Sequence, residues 1–293
     1  MLDIERIAGV TCSVGESPLW HAPDHAWYWV DIPARHIWRL DGSTGSLRKW
    51  TAPEMVACIA PAASGGWIAG MESGVFRLQL LDDGSVNAER LGAPEELGPG
   101  MRFNDGRCDR QGRFWAGTMF MDMAAAKAVG ALYRYDARGL SSAVVTELVT
   151  QNGLAWSPDG RTMYLSDSHP ARRRVWAFDY DIDDGVPHGQ RLFADMAGFT
   201  GRPDGAAMDI DGCYWVAGND GASLLRFTPA GVLDREIALP VAKPSMCSFG
   251  GPNLEWLLVT SIRPGDAPSD SDAGGVFMLH PGVRGMADTP FAA

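Results

Sequence analysis

Four oxygen-bearing residues stand at nearly one offset from a short apolar run. Glu16 lies 12 residues before Tyr28 and Asn152 lies 12 before Tyr164, while Asn104 and Asp204 lie 11 before Trp115 and Trp215. Two are carboxylates, two are carboxamides, and none is Cys or His. Brought together, two acids repel unless a positive charge sits between them. A divalent cation meets that need. An all-oxygen set suits Ca²⁺, Mg²⁺ or Mn²⁺, and Zn²⁺ also accepts carboxylate oxygen. Three or four protein ligands leave positions open for water or substrate, the pattern of a catalytic site more than a structural one. Taken singly, Asn104-Asp105-Gly106, Asn152-Gly153 and Asp204-Gly205 read as turns, and Glu16 as a surface acid. Turn chemistry explains neither Glu16 ahead of Ser17-Pro18 nor the shared offset.

The elements that must position these residues are repeated. One aromatic strand pattern returns six times: RHIWRLD around Trp38, SGVFRLQ around Phe76, GALYRYD around Tyr133, RRVWAFD around Trp176, ASLLRFT around Leu225 and GGVFMLH around Phe277. Each has the period of a strand. A second strand precedes each: AWYWVD, GGWIAG, RFWAGT, TMYLSD, CYWVAG and EWLLVT. Turn signals such as DRQG, SPDG and DIDG stand before most of them. Four-stranded units recurring every ~40–50 residues are the mark of a β-propeller. The sequence therefore predicts an all-β, six-bladed β-propeller with four-stranded blades around a central channel. It spans 1–293 as a single domain, because a blade cannot bury its faces alone. A β-sandwich or large barrel also has many short strands but does not require the same aromatic strand at six matching places. The segment after Gly275 and the stretch Glu5 to Val10 are expected to complete one shared blade. Matching positions in the blades form a ring around the axis, just before the first strand of each unit, so the four oxygens aim at one point. In the other two repeats that position falls near Ala57 and Met246.

Composition narrows the class. The chain has 293 residues with 25 basic and 36 acidic side chains, a formal charge of −11. No basic face is available for nucleic acid or an anionic membrane. Hydrophobic residues make up 46%, which excludes wholesale disorder. No apolar run reaches the ~20 residues of a membrane span. The start MLDIERIAGV lacks the basic-then-apolar pattern of a signal peptide, so a cytoplasmic location is expected. Five scattered cysteines, Cys12, Cys58, Cys108, Cys213 and Cys247, contain no C-x-x-C pair and read as buried thiols. The best helical candidate, MDMAAAKAVGAL, is weak. The six aromatic-strand residues, Trp38 through Phe277, read as core between blades.

The stretches GESPLW, RFNDG followed by DRQGRFWAGTM, NGLAWSPDG with YLSDS, and RPDGAAMD resemble the senescence marker protein, regucalcin and gluconolactonase family, from about Gly15 to Leu279. The resemblance implies a six-bladed propeller with one divalent cation at its axis, and hydrolysis of sugar lactones. Carried over by position, Glu16, Asn152 and Asp204 match the metal ligands. Asn104 matches a residue near both metal and substrate, and Arg102 one that contacts substrate oxygens. Asp122 falls where some members have a glutamate that binds sugar hydroxyls, and is shorter by one methylene. The ion is left open among Ca²⁺, Zn²⁺, Mn²⁺, Mg²⁺ and Fe²⁺.

The resulting expectation is a divalent-metal-dependent hydrolase that opens a small-molecule sugar (aldono-) lactone to its aldonic acid. Arg102, Asn104 and Asp122 would hold substrate, and Asp204 would accept the proton of the attacking water. A route in which the cation alone activates the water stays open. The alternatives are a calcium-binding regulatory protein of regucalcin type, an aryl-ester or organophosphate hydrolase, and a scaffold without chemistry. Weaker signals point nowhere new. Ser17 is not in a G-x-S-x-G elbow, and no phosphate-binding fingerprint appears. His21 and His25 read as exposed loop residues. The run Arg172 to Arg174 reads as a site rim or a solvated loop. Asp167 and Ser168 support the site or merely a turn.

Overall fold

The computed structural model describes residues 3–293 and forms six antiparallel sheets closed into a six-bladed propeller. In chain order the innermost strands are Gly15–His21, Val56–Pro61, Met101–Cys108, Gln151–Trp156, Arg202–Met208 and Pro244–Gly250. The second strands are Ala26–Asp31, Trp67–Met71, Phe114–Phe120, Thr162–Asp167, Tyr214–Asn219 and Trp256–Ser261. The third strands, His36–Asp41, Val75–Leu80, Gly130–Asp136, Arg174–Asp181, Ser223–Phe227 and Phe277–Leu279, carry the aromatic repeat. Blade 3 divides its outer edge between Gly139–Leu140 and Val145–Leu148. Blade 6 takes its outermost strand from the other end of the chain, Ile4–Arg6, which pairs with Phe277–Leu279. The closing strand is thus shifted toward the N-terminus from the expected Glu5 to Val10, although Ile7 still donates its N–H to Val276 O at 2.8 Å.

Burial falls from axis to rim. Second strands such as Ala26–Asp31 and Tyr214–Asn219 are buried along their whole length. They lie between neighbouring blades, so both faces are apolar and alternation is lost. Outer strands such as Leu47–Thr51 are largely exposed and polar. Among the central residues of the repeat, Phe76, Tyr133, Leu225 and Phe277 are core, but Trp38 and Trp176 are half-buried. Trp38 instead stacks on Trp29 at 6.1 Å, under Lys49. All five cysteines are buried and free. No α-helix occurs among the described residues, and the weak helical candidate yields only the 3₁₀ turn Met123–Ala125. No described helix is long and apolar enough to cross a membrane.

Every innermost strand carries a one-residue register shift near its start. It falls between Glu16 and Leu19, Val56 and Cys58, Phe103 and Gly106, Asn152 and Ala155, Pro203 and Ala206, and Pro244 and Met246. Such a bulge bends the strand and re-aims its side chains.

The end of the propeller remote from these bulges is tied shut. Residues 285–292 run across it, bonding Leu254 in blade 6, Met208 in blade 5, Pro61 in blade 2 and Gly112 in blade 3. Asp288 pairs there with Arg107 at 3.2 Å. At the same end the D-x-x-G turns before Trp115 and Trp215 hide fully buried acids. Asp209 accepts from the N–H groups of Asp211 and Cys213, from Trp215 Nε1 at 2.9 Å and from Arg226 Nε at 2.8 Å. Asp109 plays the same part with Gln111, Arg113 and Tyr180. Asp209→Ala strips four donors of their acceptor. It should cost at least about 3 kcal/mol in denaturant unfolding; a loss near zero would show that these turns do not depend on the buried acid.

Candidate metal and substrate site

The four candidate oxygens lie within the innermost strands rather than just before them. They also occupy two adjacent positions, not one. Glu16 and Asn152 form the last regular pair ahead of the bulge, opposite Val30 and Ser166. Asn104 and Asp204 are the first residues within the bulge, following the pairs of Phe103 and Pro203. The reference aromatics differ in place as well: Tyr28 and Tyr164 pair with the first residue after the bulge, Leu19 and Ala155, whereas Trp115 and Trp215 pair with the second, Arg107 and Ala207. Adjacent strand positions normally face opposite ways, and the bulge cancels the difference. The bulge also demands the backbone that Asn-Gly and Asp-Gly supply. Gly153 has φ +62° and Ser17, at the matching place, has φ 51°. A Cβ on Gly205 would run into Met246, and one on Gly153 into the Tyr214 hydroxyl.

All four side chains belong to residues only 3 to 8% exposed. Arg102 Nη1 donates to Asn104 Oδ1 at 2.8 Å, and Asn104 Nδ2 donates to Gln151 O at 2.7 Å. Asn152 Nδ2 donates to Ser168 Oγ at 3.0 Å, and Ser168 Oγ lies 3.4 Å from Asp204 Oδ1. Asn219 Nδ2 donates to Asp204 Oδ2 at 2.6 Å. Glu16 joins through charge. Burial first, then the charges of Asp204 and Asp105, push its carboxyl well above the usual range, against the Ser17 N–H and Arg102. Burial pushes Asp204 up to about 7, against Arg202 and Asn219. Burial draws the Arg102 guanidinium down to about 10 despite the attraction of Glu16 and Asp204. Asn152 Oδ1 is buried without a hydrogen-bond partner.

Two buried carboxylates, of which Asp204 raises the proton affinity of Glu16, and one bare carboxamide oxygen make a donor set able to hold a hard divalent cation. No group of three His, Cys, Asp or Glu side chains suited to a metal exists among the described residues. Carboxamides must complete any such set. A surface groove of about 640 Å³ between blades 4 and 5 is lined by residues such as Pro158, Tyr164, Leu192 and Ile210 and lies away from this cluster.

Asp122 is not drawn into the cluster. It is exposed, and its Oδ1 accepts from Ala124 N at 3.1 Å, capping the 3₁₀ turn. His21 ends an innermost strand and is half-buried rather than exposed in a loop; His25 is exposed. Arg173 donates to the carbonyls of Met196, Phe199 and Gly201, so it staples a loop, while Arg172 and Arg174 are exposed. Asp167 binds the N–H groups of Val149 and Thr150. Ser168 bridges two site residues. Asp105, Asn219 and Arg202 escape the sequence reading. A signal for Asn219 existed: it ends its second strand as Asp31 and Asp167 end theirs.

Fold and site together define a six-bladed propeller with a buried, oxygen-lined cluster at the bulged ends of its innermost strands. The chain belongs to the SMP-30/Gluconolactonase/LRE-like family, whose model matches residues 14–263. It is 37% identical over 284 residues to a 6-deoxy-6-sulfogluconolactonase of Pseudomonas putida, covering 95% of each chain. It is 32% identical over 300 residues to regucalcin of Sus scrofa, covering 99% of each. A solved luciferin-regenerating enzyme superposes over 100% of both chains with a TM-score of 0.92 at 28% identity.

The raised proton affinities carry a sign. A carboxyl whose folded pKa lies above its unfolded value of ~4 costs stability once pH rises past the unfolded value, and the full cost is reached above the folded one. In cation-free protein, Asp204→Asn should match the wild type in Tm near pH 4 and exceed it increasingly toward pH 8. A Tm difference that is flat with pH would mean that burial does not raise the Asp204 carboxyl.

Proposed function

We propose that this protein is a divalent-cation-dependent lactonase that hydrolyses a sugar lactone to the corresponding aldonic acid. The observation that carries this reading is the buried pair of mutually repelling carboxylates beside the unpartnered Asn152 Oδ1. The lactonase name of the Pseudomonas putida relative, over nearly the full chain, supports the reaction class.

Glu16, Asn152 and Asp204 would hold the cation. A divalent ion bound there supplies Lewis acidity toward a carbonyl oxygen and lowers the pKa of water. The chain's own groups do the rest. Arg102 offers a guanidinium whose Nη1 is fixed on Asn104 and Phe103 O, so its remaining donors can orient ring oxygens and stabilise charge on the tetrahedral centre. Asn104 is held at both ends of its amide and presents one Oδ1 lone pair to a hydroxyl. Asp204 accepts the proton of the attacking water and returns it to the departing ring oxygen. Asn219 takes one acceptor site on Asp204 Oδ2 and so fixes the orientation of the carboxylate. Asp122 uses Oδ1 to cap the turn, which leaves Oδ2 to accept from a substrate hydroxyl.

A pH-indicator assay over a panel of aldono-lactones, including one with a sulfonate at carbon 6, tests this. Hydrolysis should vanish on chelation and return with added cation. Cation binding with no hydrolysis of any lactone would remove the lactonase reading and leave the regucalcin-like one. Glu16→Ala should abolish turnover while the far-ultraviolet spectrum stays that of the wild type. Asp204→Asn should cut kcat by roughly 10²–10⁴-fold, far more than it weakens the cation, if Asp204 is the base. Equal losses in both would assign Asp204 to cation binding alone.

A further inference from the structure

We infer that Asn219 is a positioning residue for Asp204, held in its working orientation by Arg202. The inference rests on the reading of Asp204 as the base. Asn219 is fully buried, and its Nδ2 donates to Asp204 Oδ2 at 2.6 Å. Arg202 Nη2 donates to Asn219 Oδ1 at 3.0 Å. A guanidinium has donors only, so the amide oxygen must face Arg202 and the amide nitrogen must face Asp204. Arg202 is itself fixed, through Nε to Asp220 Oδ2 at 2.9 Å and through Nη1 to Ser168 O at 3.2 Å. Asp220 is shared with Lys243.

Register shows that this residue type matters. Asp31 pairs with Gly15, Asp167 with Gln151 and Asn219 with Arg202, so the three share one place in their blades. Asp31 and Asp167 accept backbone N–H groups, from Ser13 and Val14 and from Val149 and Thr150. A carboxylate at 219 would set acceptor against acceptor beside Asp204. The carboxamide converts a loop staple into a hydrogen-bond donor. Ser168 Oγ has one proton to share between Pro203 O and Asp204 Oδ1, so Asn219 is the committed side-chain donor to the Asp204 carboxylate. The clamp thereby fixes the plane and orientation in which the Asp204 carboxylate meets the proton.

The test compares Asn219→Ala, Arg202→Met and their double variant. Asn219→Ala should lower kcat roughly 10–100-fold, with KM and the Mn²⁺ midpoint in thermal-shift titration each within about threefold. Arg202 reaches Asp204 both through Asn219 and by its own charge, so the loss in the double variant should fall well short of the product of the two single losses. Asn219→Asp, with the same shape but no NH₂, should lose at least as much. An unchanged kcat, an equal loss in KM or Mn²⁺ affinity, or multiplying losses in the double variant would each overturn the clamp. A second readout needs no substrate. In cation-free protein the Asn219 side-chain amide protons should exchange slowly and shift in both Asp204→Ala and Arg202→Met. Fast exchange, or no shift, overturns the clamp. A wild type that hydrolyses no lactone overturns the reading of Asp204 as a base instead.

Discussion

The repulsion between Glu16 and Asp204 organises the site. Burial alone raises the cost of ionising each carboxylate, and the other's charge raises that of Glu16 further. Asp105, also buried, adds a third negative charge to the same region. Against them stand the half-buried Arg102, the Ser17 N–H and the donors of Asn219 and Arg202. A cluster so poorly neutralised can persist only where the surrounding packing over-determines it. The near-complete burial of the second strands provides that packing. The same imbalance favours a positive charge among these groups on electrostatic grounds.

One backbone device brings the cluster together. Six innermost strands bulge at the same point, and four of them carry Glu16, Asn104, Asn152 and Asp204 at or just ahead of the bulge. The other two carry Ala57 and Ser245, and Ser245 Oγ bonds back to Gly15 O. Bulge and ligand are therefore separable. The bulge belongs to the fold, and the choice of side chain at it belongs to the chemistry. Acids at the two ends of the propeller differ in the same sense. Asp109 and Asp209 are saturated by N–H donors and paired with Arg113 and Arg226, so they stabilise and do nothing else. Glu16 and Asp204 lack such cationic partners at hydrogen-bond distance and are free to act.

Six blades were legible because the inter-blade strands repeat their aromatic residues, and the repeat fixes both their number and their order. The four oxygens were legible because their offset from those strands survives in the sequence. Their setting was not. Asn152-Gly153 and Asp204-Gly205 suit a turn and a bulge equally, since both need a permissive φ or close backbone approach. Trp38 and Trp176 look like core in sequence, yet their depth depends on what the neighbouring blade presents.

The sequence by itself determined the six-fold strand pattern, the residue types at the bulges and the turn acids, because each is written in local periodicity and composition. Only the tertiary structure decided that offsets of 11 and 12 converge. Only it decided that Asn219 faces Asp204 while Asp31 and Asp167 face backbone, and that Asp122 caps a turn outside the cluster. Those outcomes depend on where side chains from different blades meet, and no local pattern encodes a distance across the axis.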